Sequence, residues 1–248
     1  MSMAHRVLRR YPRTTINRSR EVAQKFDYLL VMDFEATCER HEVLKPQEII
    51  EIPCAVLSTH DWQLKDMFHT YVRPRVHPTL TPFCTELTGI MQETVDDQPY
   101  FADVFPRFCE WLTKGGYLDE SERSSFVTCG NWDLKTMLPS QCDLDGIALP
   151  DQFKQWIDLK YTFCESVGYY PKGLRDMLVR LNLPLKGRLH SGIDDVKNMV
   201  SIILALKERY NTQFKITSSL TTSAINSSSY EHTGVARSVA KKKHVIVC

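Results

Sequence analysis

Two carboxylates follow a short apolar run near the start of the chain. Residues 28–35 read YLLVMDFE, so Asp33 and Glu35 come directly after five apolar or aromatic residues. A short run of this kind without Pro or Gly is typical of a strand buried on both faces. Side chains two positions apart in a strand point to the same side, so we expect Asp33 and Glu35 side by side, with Phe34 facing away. Two like charges held that close favour a divalent cation, because hard cations prefer oxygen ligands.

Another carboxylate follows an apolar run in the same way. Asp133 comes after residues 125–129 (SFVTC), which are typical of a strand, and a short loop. Taken alone, Asp133 is explained equally well as an acidic residue that is favourable at a helix N-terminus. If the two strands lie side by side, however, Asp33, Glu35 and Asp133 meet at one edge of the sheet, where open α/β sheets place their sites.

The segment HSGIDD at residues 190–195 opens an amphipathic helix. Ser191 followed three residues later by Asp194 is typical of an N-cap pair, which gives Asp194 a structural role. Asp195 is rotated by about 100° from Asp194 and borders the apolar face of the helix, so it is free to reach the sheet edge. His190 precedes the helix in a loop; a lone His is more often structural or merely exposed than catalytic.

The remaining elements predict an α/β fold with a five-stranded mixed sheet flanked by helices on both faces. The first strand is apolar on both faces and is expected in the centre. The short link at residues 60–63 predicts an antiparallel hairpin, and Pro53 indicates an edge or a bulge. Strands are predicted at 28–35, 48–58, 67–72, 125–129 and 153–159, and helices at 83–87, 101–114, 133–142, 160–167, 173–181 and 191–210.

Composition indicates one sizeable domain at residues 26–215 between two basic arms. Residues 1–25 carry seven Arg or Lys and one Glu, and residues 216–248 carry four and one, whereas residues 26–215 hold 20 basic and 28 acidic residues, a net charge of −8. An acidic domain suits carboxylates that hold cations. We expect the arms to be disordered and to contact phosphates.

No apolar run approaches the ~20 residues that cross a bilayer, so we expect no membrane partner. The eight Cys are scattered and most lie in apolar runs, which indicates a reducing compartment without zinc sites or disulfides. The Arg-rich start also resembles a mitochondrial presequence, although Pro12 interrupts the helix that such a segment needs. We therefore expect the cytoplasm or the nucleus, with the mitochondrion as the alternative.

Together, the four carboxylates and the histidine resemble the DEDDh 3′-to-5′ exonucleases in order and spacing. Further short motifs accompany them: DFEATC at 33–38, EIIE at 48–51, LTGI at 87–90, WD at 132–133, GR-x-H at 187–190 and DD-x-KN at 194–198. With these motifs, residues 28–210 resemble the enhancer-of-RNAi and histone-mRNA 3′-exonuclease family, and within it the short, Snipper-like members. The 27 residues before Tyr28 are too few for the SAP domain with which longer members help to bind a stem-loop.

The resemblance implies a ribonuclease H-like fold and a metal-dependent 3′-to-5′ exoribonuclease that releases nucleoside 5′-monophosphates. It implies that Asp33 bridges two Mg²⁺ ions, which Mn²⁺ can replace. Glu35 and Asp195 would complete the first metal site, and Asp133 would serve the second. His190 would deprotonate the attacking water, and its ordinary pKa near 6.5 suits that step at neutral pH.

Contacts to the 3′-terminal nucleotide are expected from backbone groups and from one aromatic ring. Trp132 either stacks on a base or belongs to the core, and Arg188 either holds a phosphate or lies on the surface. Stacking and sugar contacts tolerate any base, which predicts little sequence preference. The residues expected to bind substrate are Phe34, Ala36, Thr88, Gly89, Trp132, Arg188 and His190.

Two other functions remain open at this point. A catalytically silent RNA-binding module could keep the fold, although all five chemical residues are present. A DNA 3′-to-5′ exonuclease is the other, since the chemistry does not require a 2′-hydroxyl. We expect a monomer that acts on RNA with a free 3′ end, with structured RNA or DNA as further substrates.

Overall fold

The structure, a computed structural model, describes residues 21–118 and 123–220 of the 248-residue chain. At the centre of this part of the chain lies one mixed sheet in the order β2-β3-β1-β5-β6-β7. Strands β1 and β2 pair one after the other along one edge of β3, and β4 pairs with the opposite edge. Five strands correspond to the predicted ones, and two further strands have two residues each. The strands are β1 Tyr28–Met32, β2 Glu35–Ala36, β3 Ile49–Ser58, β4 Leu64–Tyr71, β5 Ser124–Thr128, β6 Gln155–Asp158 and β7 Ser218–Ser219.

Helices cover both faces of the sheet. One apolar cluster joins the sheet to α3 and α4, and a second joins it to α5, α6 and α7. A π-helical turn at Asp133–Met137 leads into α4, and a 3₁₀ turn at Asp151–Lys154 leads into β6. The α-helices are α1 Pro82–Thr88, α2 Gln92–Val95, α3 Phe101–Lys114, α4 Leu138–Asp145, α5 Leu159–Val167, α6 Leu174–Arg180 and α7 Gly192–Tyr210.

Strand β1 lies in the interior of the sheet because both of its faces are apolar. Leu30 and Met32 belong to one apolar cluster and Leu29 and Val31 to the other, and all four are fully buried. Burying each such side chain contributes about 1.5–3 kcal/mol. Strand β1 pairs antiparallel with β3 and parallel with β5, which confirms its predicted central position. The antiparallel pairing of β3 with β4 confirms the predicted hairpin.

The expectation that Pro53 marks an edge or a bulge is wrong. Strand β3 is interior, with β4 on one edge and β1 followed by β2 on the other. On that second edge the pairing with β1 ends at Cys54 and the pairing with β2 begins at Glu51. Pro53 therefore lies opposite the break between the two strands, where no neighbouring strand needs the N–H group that proline lacks.

The parallel strands place the ends of β1 and β5 at the same edge of the sheet. Strand β1 ends at Met32 and β5 at Thr128, so the residues that follow each strand emerge together. This edge, with the start of α7 beside it, holds the candidate site.

The predicted basic arm and basic tail lie largely outside the described residues. The parts that are described contact the domain: the Val22 amide donates to Asn211 at 3.0 Å, and β7 pairs with β6. The domain boundaries at 26 and 215 stay a prediction. Over residues 21–118 and 123–220, no helix combines the length and the apolar character needed to span a bilayer.

Candidate active site

Four carboxylates and one histidine, drawn from three distant parts of the chain, line a cleft of about 790 Å³ at this sheet edge. Two of them follow β1, one follows β5 and two belong to the start of α7. The structure thus brings together the whole set that the spacing singled out: Asp33, Glu35, Asp133, His190 and Asp195.

Asp33 and Glu35 flank the break between β1 and β2. Phe34, between them, is buried in the same apolar cluster as Leu30 and Met32. The alternation of the strand therefore continues through the break, and the two carboxylates lie on the other side from that cluster. Phe34 also borders the cleft.

Asp133 is tied directly to this break. It is the first residue of the π-helical turn after β5, and its Oδ1 accepts a hydrogen bond from the backbone N–H of Phe34 at 2.9 Å. Burial raises the pKa of Asp133 to about 6, and the Phe34 amide opposes that rise. The bond fixes the carboxylate that follows β5 against the segment that follows β1.

Asp195 and His190 meet through one backbone hydrogen bond. Asp195 Oδ2 accepts from the His190 N–H at 2.8 Å. His190 has a φ of 60°, a left-handed conformation that non-glycine residues adopt rarely, and this bond helps to hold it there. One ring nitrogen of His190 and carboxylate oxygens of Glu35 and Asp195 lie within 4.8 Å of one another.

The start of α7 is held by a residue that the sequence did not single out for this role. Glu51 of β3 is buried, and its carboxylate accepts from the N–H groups of Gly192 and Ile193 at 3.0 and 3.2 Å. His69 contacts the same carboxylate at 2.7 Å. Glu51 lies opposite Glu35 in the sheet, so it places the helix that carries Asp195 next to the first two carboxylates.

The predicted N-cap pair takes a different form. Ser191 occupies the N-cap position, but its side chain makes no capping bond to the described helix amides, and the Glu51 carboxylate accepts from the first of them. Asp194 reaches back to the Arg188 N–H at 3.1 Å and pairs with Lys197 at 3.0 Å. Asp194 therefore has a structural role, as expected, with Arg188, Lys197 and the Ser191 side chain as its partners.

Gly192 permits this close docking. A Cβ atom built on it would stand 3.0 Å from the Asp33 carbonyl oxygen, 3.0 Å from Pro53 Cγ and 3.1 Å from Glu51 Oε2. Two of these neighbours are a backbone atom and a proline ring, which cannot move aside easily. A larger residue would push α7 away from the sheet edge.

The pKa shifts of the cleft residues indicate a site that favours a bound positive charge. Burial, then the repulsion between neighbouring carboxylates, raises the pKa of Asp33 and of Glu35 well above the ordinary value. Burial raises the pKa of Asp195 to about 7. Burial, together with the charge of Arg188, lowers the pKa of His190. A cation between the carboxylates would reverse the repulsion that raises their pKa values.

The residues present fit a hard divalent cation. Asp195 Oδ1 is buried and has no hydrogen-bond partner among the described residues, so this oxygen has lone pairs available in the cleft. Four carboxylates provide oxygen donors, the ligand type that Mg²⁺ and Mn²⁺ prefer. The group of Glu35, His190 and Asp195 is already close enough to share one ion.

The other residues predicted to bind substrate divide into two groups. Trp132 and Phe34 line the cleft, whereas Ala36, Thr88, Gly89 and Arg188 lie outside its lining. Their contact with substrate stays a prediction.

Arg188 instead joins two parts of the chain beside the cleft. Its guanidinium donates to the carbonyls of Glu86 and Leu87 at the end of α1. Thr88 donates its hydroxyl to the Cys84 carbonyl at 2.8 Å. Both side chains therefore already have partners within the fold.

Known proteins share both the sequence and the fold. The sequence model of the family described as Exonuclease (RNase_T) matches residues 30–203. The Homo sapiens protein named ERI1 exoribonuclease 3 is 51% identical over 187 residues, which cover 75% of this chain and 55% of that protein. The chain thus spans about half the length of the curated relatives it matches.

Two solved structures are similar in fold and sequence. The nuclease domain of 3′hExo, described as a DEDDh family member bound to rAMP, has a TM-score of 0.74 and 32% identity, and the match covers 80% of this chain and 100% of that one. A 3′-exonuclease described in 3′-end-specific recognition of the histone mRNA stem-loop has a TM-score of 0.74 and 29% identity, with 84% and 75% covered.

Proposed function

We propose that this protein, which belongs to the DEDDh branch of the RNase_T exonuclease family, is a metal-dependent 3′-to-5′ exoribonuclease that releases nucleoside 5′-monophosphates. The observation that carries the proposal is the convergence of Asp33, Glu35, Asp133, His190 and Asp195 on one cleft. The similarity to proteins named exoribonucleases supports it.

The four carboxylates would hold the cations. Asp33, Glu35 and Asp195 would form one site and Asp133, with Asp33, a second, with Mg²⁺ as the expected ion and Mn²⁺ as a substitute. Bound there, divalent cations supply charge neutralisation of the phosphate and a more acidic bound water. Asp195 Oδ1, which has no hydrogen-bond partner within residues 21–118 and 123–220, supports this assignment.

His190 would act as the general base. Burial, together with the charge of Arg188, lowers its pKa and so favours the neutral ring, the form that can accept a proton from water. The hydrogen bond from its backbone N–H to Asp195 holds the residue at the edge of the carboxylate cluster. In this position, the His190 ring lies beside the carboxylates that would hold the cations, and those cations would bind the phosphate.

RNA with a free 3′ end is the proposed substrate. The solved relatives are described with rAMP and with the histone mRNA stem-loop. Trp132 and Phe34 border the cleft and provide aromatic surface on which a base of any type can stack. We therefore expect little dependence on base sequence.

Incubation of the full chain with 3′-labelled RNA or DNA, in Mg²⁺ or in EDTA, tests this function. We expect labelled 5′-mononucleotide from RNA in Mg²⁺ and none in EDTA. Hydrolysis of DNA alone would make the protein a DNA exonuclease. Binding of RNA without any mononucleotide would contradict the enzymatic function and favour a silent binding module. Asp33→Asn is the matched control for a contaminating nuclease.

A further inference from the structure

The cleft has a second wall, of opposite charge, that hydrolysis of the terminal bond does not use. This wall consists of the turn at residues 169–173, the adjoining face of α6 and one side chain of α5. It contributes the basic side chains of Lys160, Lys172, Arg175 and Arg180 to the lining. Basic side chains thus face a cleft whose other side carries four carboxylates.

Two of these cations are available to a ligand. Lys172 and Arg175 are exposed, and neither forms an ion pair within residues 21–118 and 123–220. Arg180, in contrast, pairs with Asp176 at 3.4 Å and lies over the ring of Tyr169. Within the described residues, Lys172 and Arg175 thus have no ion-pair partner, although the charge of Asp176 also acts on Lys172.

Hydrogen bonds hold in place the turn at residues 169–173, which carries Lys172. The carboxylate of Asp176 accepts from the Tyr169 hydroxyl at 3.0 Å and from the Lys172 N–H at 2.9 Å. Lys160 Nζ donates to the Lys172 carbonyl at 3.3 Å and lies 5.3 Å from the centre of the Tyr170 ring. Because the turn is already ordered, binding an anion to it costs little conformational entropy.

The polarity of the substrate strand determines which of its phosphates can reach the basic wall. The terminal nucleotide brings a single phosphodiester, which must lie at the carboxylates for hydrolysis. All further phosphates belong to the strand on the 5′ side of that bond. On a single-stranded RNA, cations beyond the carboxylates therefore have only the upstream phosphates to bind.

We infer that the wall formed by Lys160, Lys172 and Arg175 binds the phosphodiester backbone of the nucleotides 5′ to the scissile bond. The inference rests on the proposed function. Contacts of this kind set the path of the strand and carry no base information, so they are independent of sequence. They also act only on substrates that extend beyond the first phosphodiester.

Comparison of two substrates tests the wall. The full chain and its Lys172→Ala/Arg175→Ala variant are assayed in Mg²⁺ on a dinucleotide and on a single-stranded RNA of about 12 nucleotides. We expect unchanged kcat/KM on the dinucleotide. On the longer RNA we expect kcat/KM to fall about 25-fold in ~0.1 M salt. Each phosphate contact to a single strand contributes about 0.7 log unit of affinity for every tenfold decrease in salt below 1 M, so two lost contacts remove about 1.4 log units.

The salt dependence of binding provides a second measurement without hydrolysis. In EDTA the carboxylates attract no phosphate, so binding of the same RNA depends on the basic groups of the protein. The double variant is expected to lower the slope of log Kd against log salt by about 1.4, which corresponds to two lost contacts. The matched control is Lys45→Ala/Arg107→Ala, which removes the same charge from exposed positions outside the cleft lining.

The results of these assays distinguish failure of this inference from failure of the proposed function. An unchanged slope and unchanged kcat/KM on the longer RNA, or equal effects from the control pair, would overturn it and leave the proposed function intact. An equal loss on the dinucleotide would also overturn it, because the wall would then act on the terminal nucleotide. If the unaltered protein hydrolyses neither substrate, the proposed function fails, and this inference with it.

Discussion

At the scale of single residues, two adjacent aspartates of α7 have opposite roles. Asp194 is bound to the Arg188 N–H and to Lys197, whereas Asp195 faces the cleft with one oxygen lacking a partner among the described residues. The difference follows from the helix, in which neighbouring residues point about 100° apart. Only Asp195 can therefore serve the carboxylate cluster.

We predict that Asp195→Asn removes nearly all turnover, because one charged ligand of the cation is lost. Asp194→Asn should keep most activity and cost about 1 kcal/mol of stability or less, since Asn can still accept the Arg188 bond. Hydrolysis of 3′-labelled RNA and urea unfolding of both variants measure these effects. An active Asp195→Asn beside an inactive Asp194→Asn would show that the metal-site assignment is wrong.

For His190, we predict that His190→Asn lowers the rate by about 10²–10⁴-fold, the usual share of a general base. Asn suits this position because it tolerates the left-handed backbone better than most residues. Binding of Mn²⁺, measured by calorimetry, should be unchanged. A large loss of Mn²⁺ affinity would instead make His190 a metal ligand, which its distance to Glu35 and Asp195 allows.

At the scale of elements, the start of α7 is set by strand β3. The Glu51 carboxylate accepts from two amides of the helix, and the helix approaches the strand closely at Gly192. A helix leaves its first N–H groups unpaired, so a buried acceptor at that point fixes where the helix begins. The position of Asp195 thus depends on β3.

We predict that Glu51→Ala lowers both stability and turnover per folded molecule. The buried N–H of Gly192 loses its acceptor, at about 1–3 kcal/mol, and the partly buried N–H of Ile193 loses its acceptor at a smaller cost. Glu51→Gln, which keeps an acceptor, should retain more of both. Circular dichroism melting and kcat on RNA measure the two effects.

Glu48→Ala is the matched control for this prediction. Glu48 is also buried and accepts backbone N–H bonds, but from Arg75, Val76 and His77, away from α7. Its loss should lower stability and leave kcat of the folded protein close to normal. Equal loss of kcat in Glu48→Ala and Glu51→Ala would contradict a positioning role for Glu51.

At the scale of the whole molecule, the carboxylate cluster makes stability depend on protons and cations together. The pKa values of Asp133 and Asp195 rise to about 6 and about 7, and those of Asp33 and Glu35 rise well above normal. In the unfolded chain such groups titrate near 4. Between the unfolded pKa values near 4 and the raised pKa values of the folded state, the folded metal-free protein therefore binds more protons than the unfolded chain.

We predict that the metal-free protein in EDTA loses stability as the pH rises from about 4.5 to 7.5. The sign follows from linkage: the stability provided by a raised carboxyl pKa is present below that pKa and lost above it. The lowered pKa of His190 acts in the opposite direction, but as one group against four. Mg²⁺ should restore the loss, so its effect on the melting temperature should grow with pH.

Urea unfolding at pH 5 and pH 7.5, with EDTA and with Mg²⁺, measures this coupling. Asp133→Asn is expected to flatten the pH dependence in EDTA because it removes one of the titrating groups. Greater stability in EDTA at pH 7.5 than at pH 5 would contradict the prediction.

Much of the fold could be read from local patterns. Strand β1 was predicted from a short, continuous apolar run and helix α7 from a helical periodicity, and both signals depend on residues close together in the chain. The set of Asp33, Glu35, Asp133, His190 and Asp195 was identified through its order and spacing, which resemble those of the DEDDh exonucleases, since each residue taken alone also had a structural explanation. The geometry places these residues together, while their roles in catalysis stay predictions.

Only the tertiary structure decided the features that depend on distant pairing. The acceptor for the α7 amides is Glu51, 141 residues earlier than Gly192, and no local pattern reports such a contact. The interior position of Pro53 depends on where β1 ends and β2 begins, which is a matter of strand register. The basic wall arises because α6 folds beside the ends of β1 and β5, so that basic side chains and carboxylates share one cleft.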